Sequence, residues 1–254
     1  MQQTNPPLPA KETLPTMYDL PSEDPEEPGL PDEFHLFQPE LLRLTFRPPN
    51  FPEDEVFTAS DLNLYYNPTQ TQWYKRPDWF AVLGVSRFYE QRDLRLSYVT
   101  WQEEVNPFVV VELLSPGTEG EDLGRTSLKA NKGGQPPSKW TVYEQILRIP
   151  YYVVFNRYNN EFRAFGLHRN RYQELFPPNG DVRGGVWLEE AQLGLGLWEG
   201  EYQKINGLWL RCYDAENNWI PTPTEQAQQE AQQANERAER LSAQLRALGI
   251  DPDA

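Results

Sequence analysis

Two carboxylates in this chain stand where a carboxylate is expensive. Asp78 follows Pro77 at the head of a dense apolar run, PDWFAVLGV (77–85), and Glu112 lies inside PFVVVELL (107–114), which carries three consecutive valines. An ionised carboxyl embedded in such a run bears a desolvation cost unless a cation or hydrogen bonds offset it. If the two runs are neighbouring strands, the pair can hold one hard divalent cation, Mg²⁺ or Mn²⁺, through oxygen and leave positions for water and phosphate. A cation so held polarises a scissile phosphate and helps generate hydroxide, and a nearby lysine can steady the developing charge. The competing readings are structural: Asp78 as a turn residue and Glu112 as an exposed edge-strand residue. Other chemistries find little support. His35 and His168 are isolated, and Cys212 is the sole cysteine, so neither a histidine cluster, a disulfide nor a cysteine-rich zinc site is expected. The chain has no phosphate loop, dinucleotide fingerprint or nucleophile elbow.

The elements that must position these groups read as a sheet from residue 56 onward. DLNLYYN (61–67) alternates apolar and polar residues, 77–85 has the density of an inner strand, and LSYVTW (96–101) is a further strand. In 107–114 the strand phase puts Val110, Glu112 and Leu114 on one face, and Ser115-Pro116-Gly117 ends the run as a turn. A polar loop over 117–138 leads to Ser138, which can cap a helix running to about Ile149, with Trp140, Tyr143 and Leu147 on one face. YYVVF (151–155) is another buried strand. FRAFGLH, RYQELF, VWLEE and LWLRCYD then read as short strands that extend the sheet in antiparallel fashion, with Cys212 as a small core residue beside Leu208 and Leu210. Before the sheet, QPELLRL shows weak helical character until Pro48-Pro49 stops it.

Charge divides the chain unevenly. The formal net charge is −15, which argues against a nucleic-acid partner unless basic residues cluster. Residues 1–33 hold eight acids against Lys11 alone, together with eight of the 24 prolines, and read as an extended or disordered arm. Arg125, Lys129, Lys132, Lys139 and Arg148 face only Glu144, so this stretch is the expected contact for nucleic acid. The tail differs again. Thr222, Pro223 and Glu225 form a capping-box signature, and Ala227, Ala231, Ala234, Ala238, Leu241, Leu245 and Leu248 recur at steps of four and three before Gly249. That seam fits either a helix lying along its own domain or a surface for self-association or a partner. No apolar run is long enough to cross a bilayer and no signal-peptide profile is present, so a cytoplasmic protein without membrane contact is expected.

The PD at 77–78 and VVVELLSPGT at 109–118 resemble the Uma-two family of endonuclease-like proteins, within the PD-(D/E)XK superfamily. The similarity covers most of residues 40–215, and the ending LRALGIDPD resembles tails common in that family. The resemblance implies a restriction-endonuclease-like α/β fold: a mixed central sheet with flanking helices, an antiparallel sheet extension and a projecting C-terminal helix. It implies that Asp78 and Glu112 are metal ligands. The superfamily lysine two residues after the glutamate is replaced here by Leu114. The family pattern places an aspartate after the S-P-x-T turn and a lysine four residues before a tyrosine, which match Asp122, Lys139 and Tyr143. Residues 125–138 are longer than in simple members, which leaves Lys129 and Lys132 as rivals of Lys139 for the catalytic lysine. The expected division is an arm over 1–33, a nuclease-like domain over 34–221 and a helix over 222–249. The expected activity is metal-dependent phosphodiester hydrolysis on DNA; the alternative is a nuclease scaffold serving as a binding or assembly module, with the tail joining copies into a homo-oligomer.

Overall fold

The structure, a computed structural model, describes residues 32–114, 119–124, 136–176 and 184–248. Helix α1 (Phe34–Thr45) leads to strand β1 (Val56–Ala59), β2 (Leu64–Tyr65), β3 (Tyr74–Lys75) and β4 (Trp79–Leu83). Then come β5 (Phe88–Tyr89), β6 (Asp93–Leu94), β7 (Tyr98–Val99), the short helix α2 (Thr100–Glu103) and β8 (Val109–Leu113). After β8 lie α3 (Glu119–Asp122) and α4 (Lys139–Thr141), the latter continued by a π-helical turn, Val142–Ile146. The chain finishes with β9 (Tyr151–Asn156), β10 (Glu161–His168), β11 (Arg171–Leu175), β12 (Val186–Leu188), β13 (Leu193–Tyr202), β14 (Ile205–Tyr213) and helix α5 (Pro223–Ala247).

One six-stranded sheet in the order β1-β4-β8-β9-β10-β11 organises everything else. Strands β8 and β9 are parallel, whereas β4 runs antiparallel to β8 and β10 antiparallel to β9. A parallel pair needs a long crossover, and here it is residues 114–150. The three valines explain why β8 is central: all five of its residues are buried, so both of its faces need cover. Val109, Val111 and Leu113 pack on one side with Leu41, Leu42 and Phe46 of α1 and Leu193, Trp209 and Leu210 of a second sheet, β12-β13-β14. Val110 and Leu114 face the other side with Val142, Tyr143, Tyr152 and Phe80. The expected phase of Val110, Glu112 and Leu114 therefore holds, and Cys212 is a buried core residue as expected.

Several local expectations shift. α1 begins five residues before Pro39, with Phe34, His35, Gln38, Leu41 and Leu42 on its buried side. Gln38 spans the backbone of Leu210, donating to its carbonyl at 2.9 Å and accepting from its N–H at 2.8 Å, and so ties α1 to β14. Residues 100–103 are helical rather than extended: the Thr100 hydroxyl donates to the Tyr65 carbonyl at 3.1 Å, and Glu104 turns left-handed with a φ of 56°. The helix expected to run to Ile149 stops after Ile146, and Arg148 ends it at a φ of 54°. Only β10 and β11 extend the main sheet; β12, β13 and β14 form a sheet of their own. The 115–118 turn, Lys129, Lys132, Arg125 and Gly249 lie outside the described residues.

The ten-residue strand β13, LGLGLWEGEY, was hidden by its glycines, which disfavour strands, although Leu193 and Leu195 are buried at period two. Gly194 answers to a packing demand: a Cβ there would fall 2.0 Å from the Tyr213 ring, whereas one at Gly207 would meet nothing closer than 3.6 Å. Gly194→Ala should therefore lower unfolding free energy by about 1–3 kcal/mol, with Gly207→Ala within about 0.5 kcal/mol of the parent. Urea denaturation of both variants checks this, and equal midpoints would refute it.

Candidate active site

The register of β4 on β8 pairs Trp79 with Val111 and Phe80 with Val110, so Asp78 falls opposite Glu112 at the end of the pair. Adjacent cross-strand residues share a face, which brings two sequence-distant carboxylates together. Their hydrogen bonds interlock. The Asp78 N–H approaches Glu112 Oε2 at 3.4 Å, and Asp78 Oδ2 accepts the Leu113 N–H at 2.6 Å. The Glu112 side chain is wholly buried and its Oε1 accepts the Tyr143 hydroxyl at 2.9 Å.

The crossover supplies the rest. Ser138 caps α4 by accepting the Thr141 N–H, which places Lys139 in the first turn. Lys139 Nζ lies 3.1 Å from Glu112 Oε2 and 2.9 Å from Asp122 Oδ1. Tyr143, one turn further, is fully buried beneath it. Asp122 is 1% exposed at the end of α3, and its carbonyl accepts the Tyr152 hydroxyl at 2.9 Å. Gly124 makes that approach feasible: it turns at a φ of 64°, and a Cβ there would press to 2.9 Å from the Trp140 ring.

Electrostatics follow from three carboxylates gathered about one ammonium in a dry place. Burial pushes the Glu112 carboxyl up to about 8; Lys139 opposes the shift, while Asp122 and Asp78 reinforce it. Asp78 is raised too, by burial first, against the pull of Lys139. For Lys139, burial favours the neutral amine, but Glu112, Asp122 and Asp78 outweigh it and hold the ammonium well above its ordinary range. Burial and neighbouring Glu112 keep the Tyr143 phenol protonated, so it acts as a donor.

The structure thus gathers Asp78, Glu112, Asp122, Lys139 and Tyr143. Arg148 stands elsewhere. Its guanidinium donates to Asn170 at the β10–β11 turn, beyond the opposite end of β9 from Val154, the partner of Glu112. One neighbour escaped the sequence reading: His35, set aside as isolated, is buried on α1, and its Nε2 lies 3.1 Å from the Leu113 carbonyl. A signal existed, since His35 and Gln38 are polar residues on the buried side of α1. Among the described residues, no group of three or more His, Cys, Asp and Glu side chains has metal-holding geometry. The carboxylates here are divided by Lys139, which bridges two of them.

A mixed sheet with helices on its faces, a parallel central pair and carboxylates at their edge define a restriction-endonuclease-like protein. The chain belongs to the Uma2 family, described as "Putative restriction endonuclease", whose family model matches residues 10–198. That match begins within the acidic N-terminal segment and ends in β13. A comparison with curated proteins found no match. No helix among the described residues is long and apolar enough to cross a membrane.

The raised Glu112 carboxyl has a consequence for stability. Its folded value, about 8, lies above the ordinary 4.5, so the folded state binds this proton more tightly. Stability linked to Glu112 is therefore complete below about 4.5 and is lost as pH rises through about 8. Glu112→Gln removes that dependence. Chemical denaturation at several pH values between 5 and 8 should show the parent losing stability relative to the variant as pH rises; parallel curves would contradict the assignment.

Proposed function

We propose that this protein is a divalent-metal-dependent nuclease that hydrolyses phosphodiester bonds in DNA, with Asp78 and Glu112 as ligands for Mg²⁺ or Mn²⁺. The observation that carries the reading is the gathering of three carboxyl groups at the edge of β8, Glu112 and Asp122 buried and Asp78 half-buried, about the ammonium of Lys139, a set whose ionised forms a divalent cation would favour. The donor set fits such a cation. Mg²⁺ prefers hard oxygen, commonly takes one or two carboxylates and keeps several waters, and Asp78 and Glu112 are the two that face one another across neighbouring strands. When bound, the cation would supply Lewis acidity toward a phosphate oxygen and a lowered pKa for attached water.

The chain's own residues then have distinct tasks. Lys139 offers a permanent positive charge beside the ligands, suited to steadying charge that develops on the phosphate. Asp122 holds Lys139 by its ammonium, and Tyr143 orients Glu112 by donating to Oε1. Leu114, at the position of the usual lysine, is buried in the second core, which supports delivery of the ammonium from α4 instead. Arg125, Lys129, Lys132 and Arg148 are proposed to contact nucleic acid outside the site. The substrate and the protein are placed in the cytoplasm on this reading, with the acidic residues before α1 acting as an arm.

Asp78→Asn and Glu112→Gln keep side-chain shape while removing the ligand charge. Each should weaken Mg²⁺ affinity and reduce cleavage at least ~100-fold. Melting temperature with and without Mg²⁺ separates this from a structural role, because the wild type should be stabilised by the ion and the variants should not. Full cleavage by either variant would sink the site; Mg²⁺ binding without any cleavage of DNA would instead make the protein a binding or assembly module.

The same proposal assigns α5 to contact between copies. Its 25 residues include no buried one, so it does not lie along its own domain. In an antiparallel pair centred between Ala231 and Ala234, Glu230 of each copy meets Arg237 of the other, so the charges favour that register. Truncation after Gln228, which spares the Arg211–Glu225 pair, should lower the molecular mass in sedimentation while leaving the domain's melting temperature in place. A parent that already sediments as a monomer would remove the idea.

A further inference from the structure

The backbone at Leu113 is gripped from both faces of the sheet. Its N–H donates to Asp78 Oδ2 at 2.6 Å, and its carbonyl lies 3.1 Å from His35 Nε2. The other ring nitrogen, Nδ1, lies 2.8 Å from Asp32 Oδ1. Both nitrogens therefore face oxygens that can only accept, a carboxylate and a peptide carbonyl. A neutral imidazole donates once, and only the doubly protonated ring satisfies both contacts. Burial opposes that charge, but Asp32 and Asp78 overcome it and raise the pKa of His35.

Asp32 is itself held. Its Oδ1 also accepts the His35 N–H at 3.1 Å, and its Oδ2 pairs with Arg157, whose guanidinium lies over the Phe34 ring at 5.3 Å. Despite burial, the His35 interactions keep its carboxyl down at about 2. The first turn of α1 is thus pinned to the chain leaving β9, and the ring has little freedom to swing away from Leu113. The Leu113 carbonyl and N–H lie in adjoining peptide planes joined at its Cα. The ladder to Phe155, with the Leu114 N–H donating to the Phe155 carbonyl at 2.8 Å, limits rotation there, so a shift of the carbonyl carries the N–H with it.

We infer that Asp32 and His35 form a positioning pair: they fix the backbone at Leu113 from its carbonyl side and, through its N–H, hold Asp78 in the orientation that cation binding requires. This rests on the metal-site reading above, and it assigns a role to a histidine that touches neither the cation nor substrate. Partners that orient a ligand from behind typically govern metal affinity by about 10–100-fold.

The test uses the full chain and two variants. His35→Phe keeps a ring of similar size but offers no donor; His35→Gln restores one amide donor on a flexible stem. Two quantities are read: the backbone amide resonance and hydrogen exchange of Leu113 by NMR in the absence of metal, and the affinity for Mg²⁺ alone by calorimetry. His35→Phe should move the Leu113 amide upfield, speed its exchange and weaken Mg²⁺ binding at least ~10-fold, and His35→Gln should recover much of each. A ring that merely fills space predicts no such recovery. An unchanged Leu113 amide in His35→Phe, or a Gln variant no better than Phe, overturns the inference. If the wild type itself binds no Mg²⁺, the nuclease reading fails, while the Leu113 amide still decides the role of His35. Should His35→Phe not fold, Asp32→Asn is read in the same way, with a displaced Leu113 resonance expected and an unmoved one counting against the pair.

Discussion

One ammonium group holds three separate stretches of chain in register. Lys139 reaches Glu112 on the central strand and Asp122 at the end of α3, and both carboxylates are buried. Without that charge the core would contain carboxyl groups with no ionic partner, a condition that commonly costs several kcal/mol. The path of the crossover can be understood from this requirement. Ser138 starts the helix one residue before the lysine, Gly124 lets the preceding segment pass against Trp140, and Tyr143 fills the space under Glu112 while donating to it. The π-helical turn that follows sits in this same packed region, with Val142, Tyr143 and Glu144 all buried.

Glu144 shows how far the polar wiring extends. It accepts the Tyr172 N–H at 2.8 Å and pairs with Arg171 at 3.1 Å, so the turn carrying Tyr143 is fastened to the start of β11. The site is therefore framed on one side by the crossover and on the other by α1, each tied to a different strand through hydrogen bonds rather than apolar contact alone. Such arrangements fix orientation more sharply than area does, because a buried donor left unpaired is costly.

Much of this was legible in the residues, and the gaps have physical causes. β8 and β4 announced themselves through apolar density, and the phase of Val110, Glu112 and Leu114 followed from strict alternation. The proximity of Asp122, Lys139 and Tyr143 was accessible only through the family pattern, since nothing local says which way a long crossover returns. β13 was lost because glycine is read as a breaker, although here Gly194 makes room for a tyrosine ring from the neighbouring strand. His35 was lost because its partners, Asp32 apart, are supplied by a strand 78 residues away. The arrangement of β12, β13 and β14 as a separate sheet was likewise beyond reach, because strand patterns reveal burial but not which sheet supplies the other face.

The manner in which α5 is attached has a thermal consequence. Arg211, nearly buried, donates to the Ile220 carbonyl at 3.1 Å and to Glu225 Oε1 at 3.1 Å, and Thr222 and Glu225 complete a reciprocal cap. Beyond that first turn the helix gives no side chain to the core, and at about 1.5 Å per residue its 25 residues extend about 37 Å. Its integrity in a lone chain is then that of a peptide nucleated at one end: the anchored turn removes the unfavourable first step of helix formation, while the far end frays on a sub-microsecond scale. Heating would shorten such a rod gradually from its tip, over a broad range of temperature, well before the sheet gives way in a single cooperative step.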